Sequence, residues 1–453
     1  MISSAGPTPA QERPPLGGRF LTVWAGQSLS ALGSMLGNIG IGVWVFLETG
    51  SAIWLGVLVA LASAPTVLVA PFVRLVDRFP RRSVMIWGDV VASIGTVIAL
   101  VLAAAGRLEV WHLAVAGFVG GIGTAFQHPA FQAAIPSLVE PPALARANGL
   151  NQFGPALAVV LGPALGTPIV AWWGIEAVLI VDVATFVVAI ATTTAVRFGD
   201  VAGHEADTAD DGSWQAAFTF LRGAGRPLAV LIGTMAATNL MLSGFNISLI
   251  TTAIEVGGAS KSGLVLASGG VAMLAGSLLL GARGLPRRRI STLSGAIAAV
   301  GVGCWIAAVR PVFALMIVGT VVGLAAVPAV NAAVSTIFHE RVPAGMQGRV
   351  FGLRFAVGSS LGPVGSLATG FVIARVATPA MDGGVGADTI GRVIGTGPGR
   401  GGALVLIVVG AALVVLAAAV AASSVRRELD LAAPVPDAHG AVAPMVGATA
   451  PSA

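Results

Sequence analysis

The chain has 453 residues, of which 56% are hydrophobic and 10% charged, and its mean hydropathy is +0.90. A soluble chain of this length could not hide so much apolar surface from water, so the composition predicts a protein embedded in a lipid bilayer. The net charge of +5 does not indicate a nucleic-acid-binding protein, because the arginines stand in short clusters between apolar runs and Lys261 is the only lysine.

The first 18 residues are polar and rich in proline and glycine, and they lack the pattern of a signal peptide, so we expect residues 1–18 to form a disordered cytoplasmic tail. After this tail come twelve apolar runs, each close to the roughly 20 residues that cross a bilayer as a helix. The runs begin near Phe20, Ala52, Ser83, Val110, Ala147, Ile175, Arg226, Ser262, Ile290, Pro311, Arg349 and Gly402.

The loops between the runs predict the orientation in the membrane. Most of the 25 lysines and arginines fall on one side, in the loops that alternate with nearly uncharged ones. Short loops rich in arginine stay in the cytoplasm. An even number of spans puts both termini on that same side, so the sequence predicts a multi-pass protein of the plasma (inner) membrane with both termini cytoplasmic.

The loop between the second and third runs is crowded with charged residues: Arg74, Asp77, Arg78, Arg81 and Arg82. It resembles the loop that joins helices 2 and 3 in the major facilitator superfamily, which reads Gly, three residues, Asp-Arg, one residue, Gly-Arg-Arg or Lys. Val73 and Pro80 stand where the family has its two glycines, while the acid and the arginines match.

The resemblance implies that this loop is a gate. In the family the acid is thought to latch the N-terminal half against the start of helix 11, which here lies near Arg349. A carboxylate in that place would interact with unpaired backbone N–H groups and with the helix dipole. We therefore predict a gating function for Asp77, Arg78, Arg81 and Arg82, the alternative being a solvated cluster that only sets topology.

Three short stretches recur in the same order in the second half of the chain: Phe79-Pro80-Arg81-Arg82 as Leu285-Pro286-Arg287-Arg288, Pro129-Ala-Phe-Gln-Ala-Ala as Pro328-Ala-Val-Asn-Ala-Ala, and Gly162-Pro163 as Gly362-Pro363. They predict a duplicated six-helix unit. The expected fold is an all-α integral membrane protein of twelve transmembrane helices in two six-helix bundles. The predicted divisions are bundles at 19–198 and 226–424, a cytoplasmic linker at 199–225 with a short interfacial helix, and a disordered cytoplasmic tail at 425–453.

The fifth run carries small residues and a proline at helical spacing: Gly149, Ala158, Gly162, Pro163 and Gly166. This set resembles a motif in helix 5 of the superfamily's drug antiporters, although Ala158 and Thr167 stand where glycines would be. Small residues let helices approach closely and proline bends a helix, which suits a moving seam; simple helix packing is the alternative. The wider stretch resembles the branch that contains macrolide efflux and enterobactin export permeases.

Polar side chains inside apolar runs are costly in a membrane, which makes them candidates for a substrate path. In the family, helices 1, 4, 7 and 10 line the central cavity. The predicted cavity residues on these helices are Gln27, Ser34, Asn38, Thr124, His128, Asn239, Ser243, Asn246, Asn331 and Ser335. Hydrogen bonding between helices is the alternative reading of the same residues.

Coupling to protons requires a titratable group within reach of the cavity. The candidates are His128, Asp182, Asp89 and Glu48. We expect Glu48 to be solvated at an outer helix end and Asp89 to pair with a loop arginine. The family places helix 6, which carries Asp182, at the periphery of the bundle. The sequence does not choose among the four.

Taken with the resemblance, these features predict a secondary active transporter that exports an amphiphilic small molecule, such as a drug, a macrolide-like natural product or a siderophore, against proton entry by alternating access. The expected partners are this substrate, protons and the bilayer, with no nucleic acid, and the expected state is a monomer. No metal or other cofactor is predicted, since the chain has one cysteine and no nucleotide-binding loop. Proton-coupled uptake of a small metabolite, or a polytopic enzyme or sensor, are the alternatives; we expect no enzyme.

Overall fold

The computed structural model of the protein describes residues 16–69, 79–199, 214–223, 225–343, 346–383 and 385–431. Nine helices within these ranges are long and apolar enough to cross a membrane, and the shorter apolar helix Ala52–Leu68 joins them. The predicted helical membrane fold is confirmed.

The first part of the chain contains α1 Gly18–Thr49, α2 Ala52–Leu68, α3 Arg81–Ala104, α4 Val110–Leu138, a 3-10 turn Pro141–Ala143, and α5 Leu144–Ala195. The short helix α6 Trp214–Arg222 follows, inside the predicted linker. The second part contains α7 Arg226–Arg283, α8 Arg289–Ala308, α9 Phe313–Arg341, α10 Gln347–Val372, a π-helical turn Ile373–Ala377, α11 Thr378–Met381, α12 Val385–Asp388, α13 Gly391–Ile394, α14 Arg400–Ala422 and α15 Ser424–Leu431.

Two of the long helices are each broken by one glycine. Gly174 in α5 has φ 79° and Gly258 in α7 has φ 75°, values that L-residues with a side chain rarely adopt. We name the four resulting segments α5a (144–173), α5b (175–195), α7a (226–257) and α7b (259–283). Divided in this way, the ten apolar helices give twelve segments, and the number of membrane crossings stays a prediction.

The segments run up and down between two faces of the molecule. We call the face where α1 begins and α14 ends the terminal face, and the face that carries the Gly174 and Gly258 breaks the distal face. The half formed by α1 to α5 and the half formed by α7 to α14 meet along two seams, α2 against α10 and α5a against α7b.

The α2–α10 seam lies toward the distal face and is made by glycines. A Cβ added at Gly370 of α10 would come within 2.4 Å of the Ala52 carbonyl oxygen, and one at Gly56 of α2 within 2.5 Å of the Ser366 carbonyl oxygen. Because only glycine leaves this space, the backbones of the two halves touch there.

Arginines brace the terminal face of the first half. Arg81, at the start of α3, donates to the Ala133 carbonyl near the end of α4. Arg82 donates through Nε to the Thr193 carbonyl at 3.2 Å and through Nη2 to the Thr194 carbonyl. Thr193 and Thr194 are in the last turn of α5b, where the carbonyls lack helical partners and carry the negative end of the helix dipole. The two guanidinium groups thus tie α3 to α4 and α5b.

An aspartate braces the terminal face of the second half. Asp430 of α15 accepts the backbone N–H groups of Ile290 at 2.8 Å and Ser291 at 3.4 Å, in the first turn of α8. Residues 425–431 therefore differ from the disordered tail predicted from 425 onward. The helix persists because its carboxylate satisfies N–H groups of α8 that have no partner within their own helix.

Replacing Asp430 by alanine is expected to lower the stability of the second half by about 1 kcal/mol, the usual loss when a helix loses such a cap. The measurement is the melting temperature of the purified protein in detergent. Glu428→Ala is the matched control, since Glu428 is an exposed acid of the same helix. Equal melting temperatures for the two variants would contradict the bracing role of Asp430.

The glycine-rich segment before α14 is held at the distal face by a buried arginine. Arg400 has no exposed side-chain surface, and its Nη1 donates to the carbonyls of Ala308 at 3.1 Å and Ile394 at 2.9 Å. Beside it, the Glu255 carboxylate of α7a accepts the Gly399 backbone N–H. Arg400 thus joins the end of α8, the α13 turn and the start of α14.

Candidate transport site

Two adjoining cavities lie within the first half of the molecule. The large cavity has a volume of about 490 Å³ and is lined by α1 to α5, together with Ile250 of α7a. The small cavity, of about 130 Å³, continues from it toward the terminal face. Four residues line both cavities, so the two spaces share a wall: Ser34, Ala92, Thr124 and Phe186.

Asp182 is the acid of the large cavity. Its side chain is 6% exposed, and it accepts hydrogen bonds from Ser34 Oγ at 3.2 Å and Thr96 Oγ1 at 3.1 Å. Gly37 allows α1 to come close, since a Cβ there would lie 3.3 Å from the Asp182 carboxyl group. The family pattern places helix 6, which is α5b here, at the periphery of the bundle. The Asp182 carboxylate of α5b nevertheless points inward, toward its partners on α1 and α3.

Among the described residues, the groups that bond to the Asp182 carboxylate are the hydroxyls of Ser34 and Thr96, and no cation pairs with it. A carboxylate removed from water without a cation is costly when it is charged. Two hydroxyl donors offset part of that cost. Asp182 is therefore placed to gain or lose a charge when the cavity opens.

Asp89 is the acid of the small cavity and is 3% exposed. Gln27 Nε2 donates to Asp89 Oδ2 at 2.8 Å and lies 3.2 Å from Thr193 Oγ1, and Gln127 Nε2 donates to Gln27 Oε1. We expected Asp89 to pair with a loop arginine. Arg81 and Arg82 do not pair with it, because both donate to helix carbonyls instead.

The structure brings together the predicted residues of helices 1 and 4. Ser34, Asn38 and Thr124 line the large cavity, and Gln27 and His128 line the small one. Glu48 lies apart from them, exposed at the distal end of α1 as expected.

The predicted residues of the family's helices 7 and 10, which are α7a and α9 in this structure, line neither cavity. Asn239 donates to the Gly358 carbonyl of α10 at 2.8 Å, which is a contact within the second half. Ser243 and Asn246 each bond to a carbonyl one turn earlier in α7a. Asn331 is exposed and Ser335 is half-buried on α9. Lining of a central space by these residues stays a prediction.

Thr96 is the partner of Asp182 that the sequence analysis missed. It stands seven residues after Asp89, so the two side chains share one face of α3. That spacing is the signal that could have found it. Of the predicted gating residues, Asp77 and Arg78 lie outside the described residues, and their gating role stays a prediction.

The helix 5 motif packs mainly against α1 of the same half. A Cβ at Gly162 would lie 2.6 Å from Met35 Cγ, and one at Gly166 would lie 2.6 Å from the Leu36 carbonyl oxygen. Gly149 has no neighbour within 4 Å of such a Cβ, whereas Ala158 is buried.

The contact of α5a with the other half uses a different face. A Cβ at Gly263 of α7b would lie 1.9 Å from Thr167 Oγ1 and 2.6 Å from the Pro163 carbonyl oxygen. Gly162 and Gly166 thus join α5a to α1, and Pro163 and Thr167 form the seam of α5a with α7b.

Gly162→Leu is expected to force α1 away from α5a and to abolish transport, because the added atoms would overlap Met35 and the α1 backbone behind it. Ala158→Gly, which restores the family residue, should be tolerated. The measurements are the yield of folded protein on size-exclusion chromatography and the transport rate at equal expression. Normal transport by Gly162→Leu would show that close approach at this point is unnecessary.

Two halves of membrane-spanning length that meet along glycine seams, with buried carboxylates facing cavities between the helices, are typical of a polytopic membrane transporter. Residues 23–366 match the family model of the Major Facilitator Superfamily, and the chain belongs to that family. This confirms the resemblance drawn from the loop and helix 5 motifs.

Curated relatives carry a more specific name. Macrolide efflux protein A of Streptococcus pyogenes is 28% identical over 367 residues, which cover 79% of this chain and 90% of the relative. A protein of the same name from Enterococcus faecalis is 28% identical over 299 residues, covering 64% of this chain and 92% of the relative.

Solved structures share the fold at low identity. A bacterial homolog of the human lysosomal transporter Spinster aligns with a TM-score of 0.68 at 15% identity, covering 92% of this chain and 98% of the other. The nucleoside transporter NupG aligns with a TM-score of 0.67 at 12% identity, covering 90% of this chain and 99% of the other.

Proposed function

We propose that the protein exports an amphiphilic small molecule of the macrolide type in exchange for protons, by alternating access. The observation that carries the proton coupling is Asp182, a buried acid without an ion-pair partner among the described residues, on the wall of the large cavity. The two relatives named macrolide efflux protein A support export and the substrate type.

Asp182 links the proton to the substrate through its charge. When the carboxylate faces a closed cavity, the charged form is costly unless a bound group satisfies it. A proton does so by neutralising the acid, and a substrate does so by presenting a cationic or hydrogen-bond-donating group. The cavity then opens to the other side of the membrane only when either a proton or a substrate is bound. Protons therefore move inward only in exchange for substrate that moves outward.

The seams supply the moving parts. The α2–α10 contacts lie near the distal face, and the Gly263 contacts join α5a to α7b. Separation of these glycine contacts, with closure on the terminal side, would present the cavity to the distal compartment. We infer that the terminal face is cytoplasmic in the plasma membrane, that the protein acts as a monomer, and that Asp77 with Arg78, Arg81 and Arg82 latches the terminal side when it closes.

Reconstituted vesicles test the proposal. Purified protein in proteoliposomes is given a labelled macrolide outside and an interior more acidic than the exterior, and the trapped label is measured. An exporter with its terminal face outward accumulates the label, and collapse of the gradient by a protonophore releases it. An uptake permease accumulates label only with the opposite gradient, and an enzyme or a sensor accumulates none with either.

A further inference from the structure

Asp89 is the second buried acid of the first half, and it lines the small cavity and not the large one. It stands about two helical turns before Thr96 on α3, in the cavity that continues toward the terminal face. The small cavity holds about 130 Å³. A space of that size has room for water molecules, and the side chains of Gln27, Asp89 and Gln127 on its wall supply hydrogen-bond partners.

We propose that Asp89 is a proton-relay residue through which Asp182 exchanges its proton with the terminal face. This inference rests on the proposed function, and the juxtaposition of the two cavities carries it. Ser34 lines both cavities and donates to Asp182, so one side chain stands between the two acids. A proton leaving Asp182 passes along Ser34 and water to the Asp89 carboxylate, and from there to solvent at the terminal face.

Gln27 positions the relay. Its amide Nε2 donates to Asp89, and its Oε1 accepts from Gln127. This hydrogen bond orients the Asp89 carboxyl group toward α1, the helix that also carries Ser34. Gln27 is itself buried, so its orientation is fixed by these partners and not by bulk solvent.

Other titratable or charged groups near Asp89 are few among the described residues. From α4, His128 lines the same cavity. From α3 itself, Arg82 donates to the carbonyls of Thr193 and Thr194. Thr193 also accepts a hydrogen bond from Gln27 through its hydroxyl, so Arg82 and Gln27 share this partner. The side chains that α1 and α5 contribute to the cavity wall are not titratable. His128 is thus the one competing proton acceptor on that wall.

The test separates substrate movement from proton movement in the same proteoliposomes. Exchange of labelled for unlabelled macrolide at equal pH needs the cavity alone, whereas gradient-driven accumulation also needs the proton path. Asp89→Asn is expected to keep exchange near the wild-type rate and to slow gradient-driven accumulation about tenfold or more, with recovery in Asp89→Glu. Ser93→Ala is the control and should leave both rates unchanged, because Ser93 stands on the same helix, lines neither cavity and donates to the Val90 carbonyl of that helix.

Gln27→Met keeps the relay testable if Asp89→Asn does not fold. Loss of the amide should move the pH profile of gradient-driven accumulation while exchange continues, an effect that simple loss of packing would not produce. His128→Gln tests whether His128, and not Asp89, accepts the proton from Asp182.

Each result bears on one of the two ideas. Gradient-driven accumulation at the wild-type rate in Asp89→Asn, or an unmoved pH profile in Gln27→Met, overturns the relay and leaves the proposed function standing. The relay is also overturned if His128→Gln loses gradient-driven accumulation while Asp89→Asn keeps it. Absence of any gradient-driven accumulation by the wild-type protein overturns the proposed function itself.

Discussion

Asp182→Asn should abolish gradient-driven accumulation of substrate while exchange of labelled for unlabelled substrate continues. The amide keeps the size of the carboxyl group and can still accept a hydrogen bond from Ser34, so the cavity should keep its shape. What it loses is the ability to take up and release a proton within the membrane. The two assays on one preparation of proteoliposomes, at matched protein content, provide the measurement.

The control for this variant is Thr96→Val, which removes one hydrogen bond to the same carboxylate and keeps its charge. We expect Thr96→Val to retain coupled transport at a reduced rate, since a hydrogen bond to a charged group contributes about 1.5 to 3 kcal/mol. If Asp182→Asn accumulates substrate against a gradient as the wild-type protein does, Asp182 is not the proton carrier.

Gly370→Leu should trap the transporter with its distal side open. The backbone of Ala52 in the other half lies where the new side chain must begin, and backbone atoms have no rotamer that could move them aside. The halves could then no longer close at the distal face, and transport should stop. The same change at Gly56, opposite the Ser366 carbonyl, should act in the same way.

Cysteine labelling detects the trapped state. The chain has one cysteine, Cys304, which is buried and can be replaced by serine to give a clean background. A cysteine placed at Asn38, on the wall of the large cavity, should react with a membrane-impermeant maleimide from the distal side much faster in Gly370→Leu than in the parent. Gly233→Leu, where an added Cβ meets nothing within 4 Å, serves as the control. Unchanged labelling with normal transport would show that the α2–α10 seam does not close the distal side.

The positions of the apolar helices could be predicted from the sequence because a span needs a long apolar run. The run predicted from Ala147 begins at Leu144, and the one predicted from Ser262 begins after Gly258. The orientation of each helix about its own axis could not be predicted in this way. A helix that is apolar all round gives no amphipathic signal, so the inward direction of Asp182 needed the structure.

Partners were harder to predict than positions. Asp89 meets Gln27 because α1 and α3 both pack against α5, and the linear sequence does not show which neighbour a carboxylate will meet. The charged helix α15 was missed for a related reason. Its eight residues are too few to be stable alone, and Asp430 holds it through a contact with α8, which lies far earlier in the chain.

The glycine breaks at Gly174 and Gly258, together with the short turn at Gly50, leave the distal face almost without loops. A protease or an antibody approaching from that side would find hardly any extended chain to bind between these helix pairs. The longest distal connection among the described residues is the one that leads from α11 to α14. In the proposed orientation, an epitope inserted there, between Gly395 and Gly397, would allow the protein to be detected in intact cells without lengthening any of the tight turns.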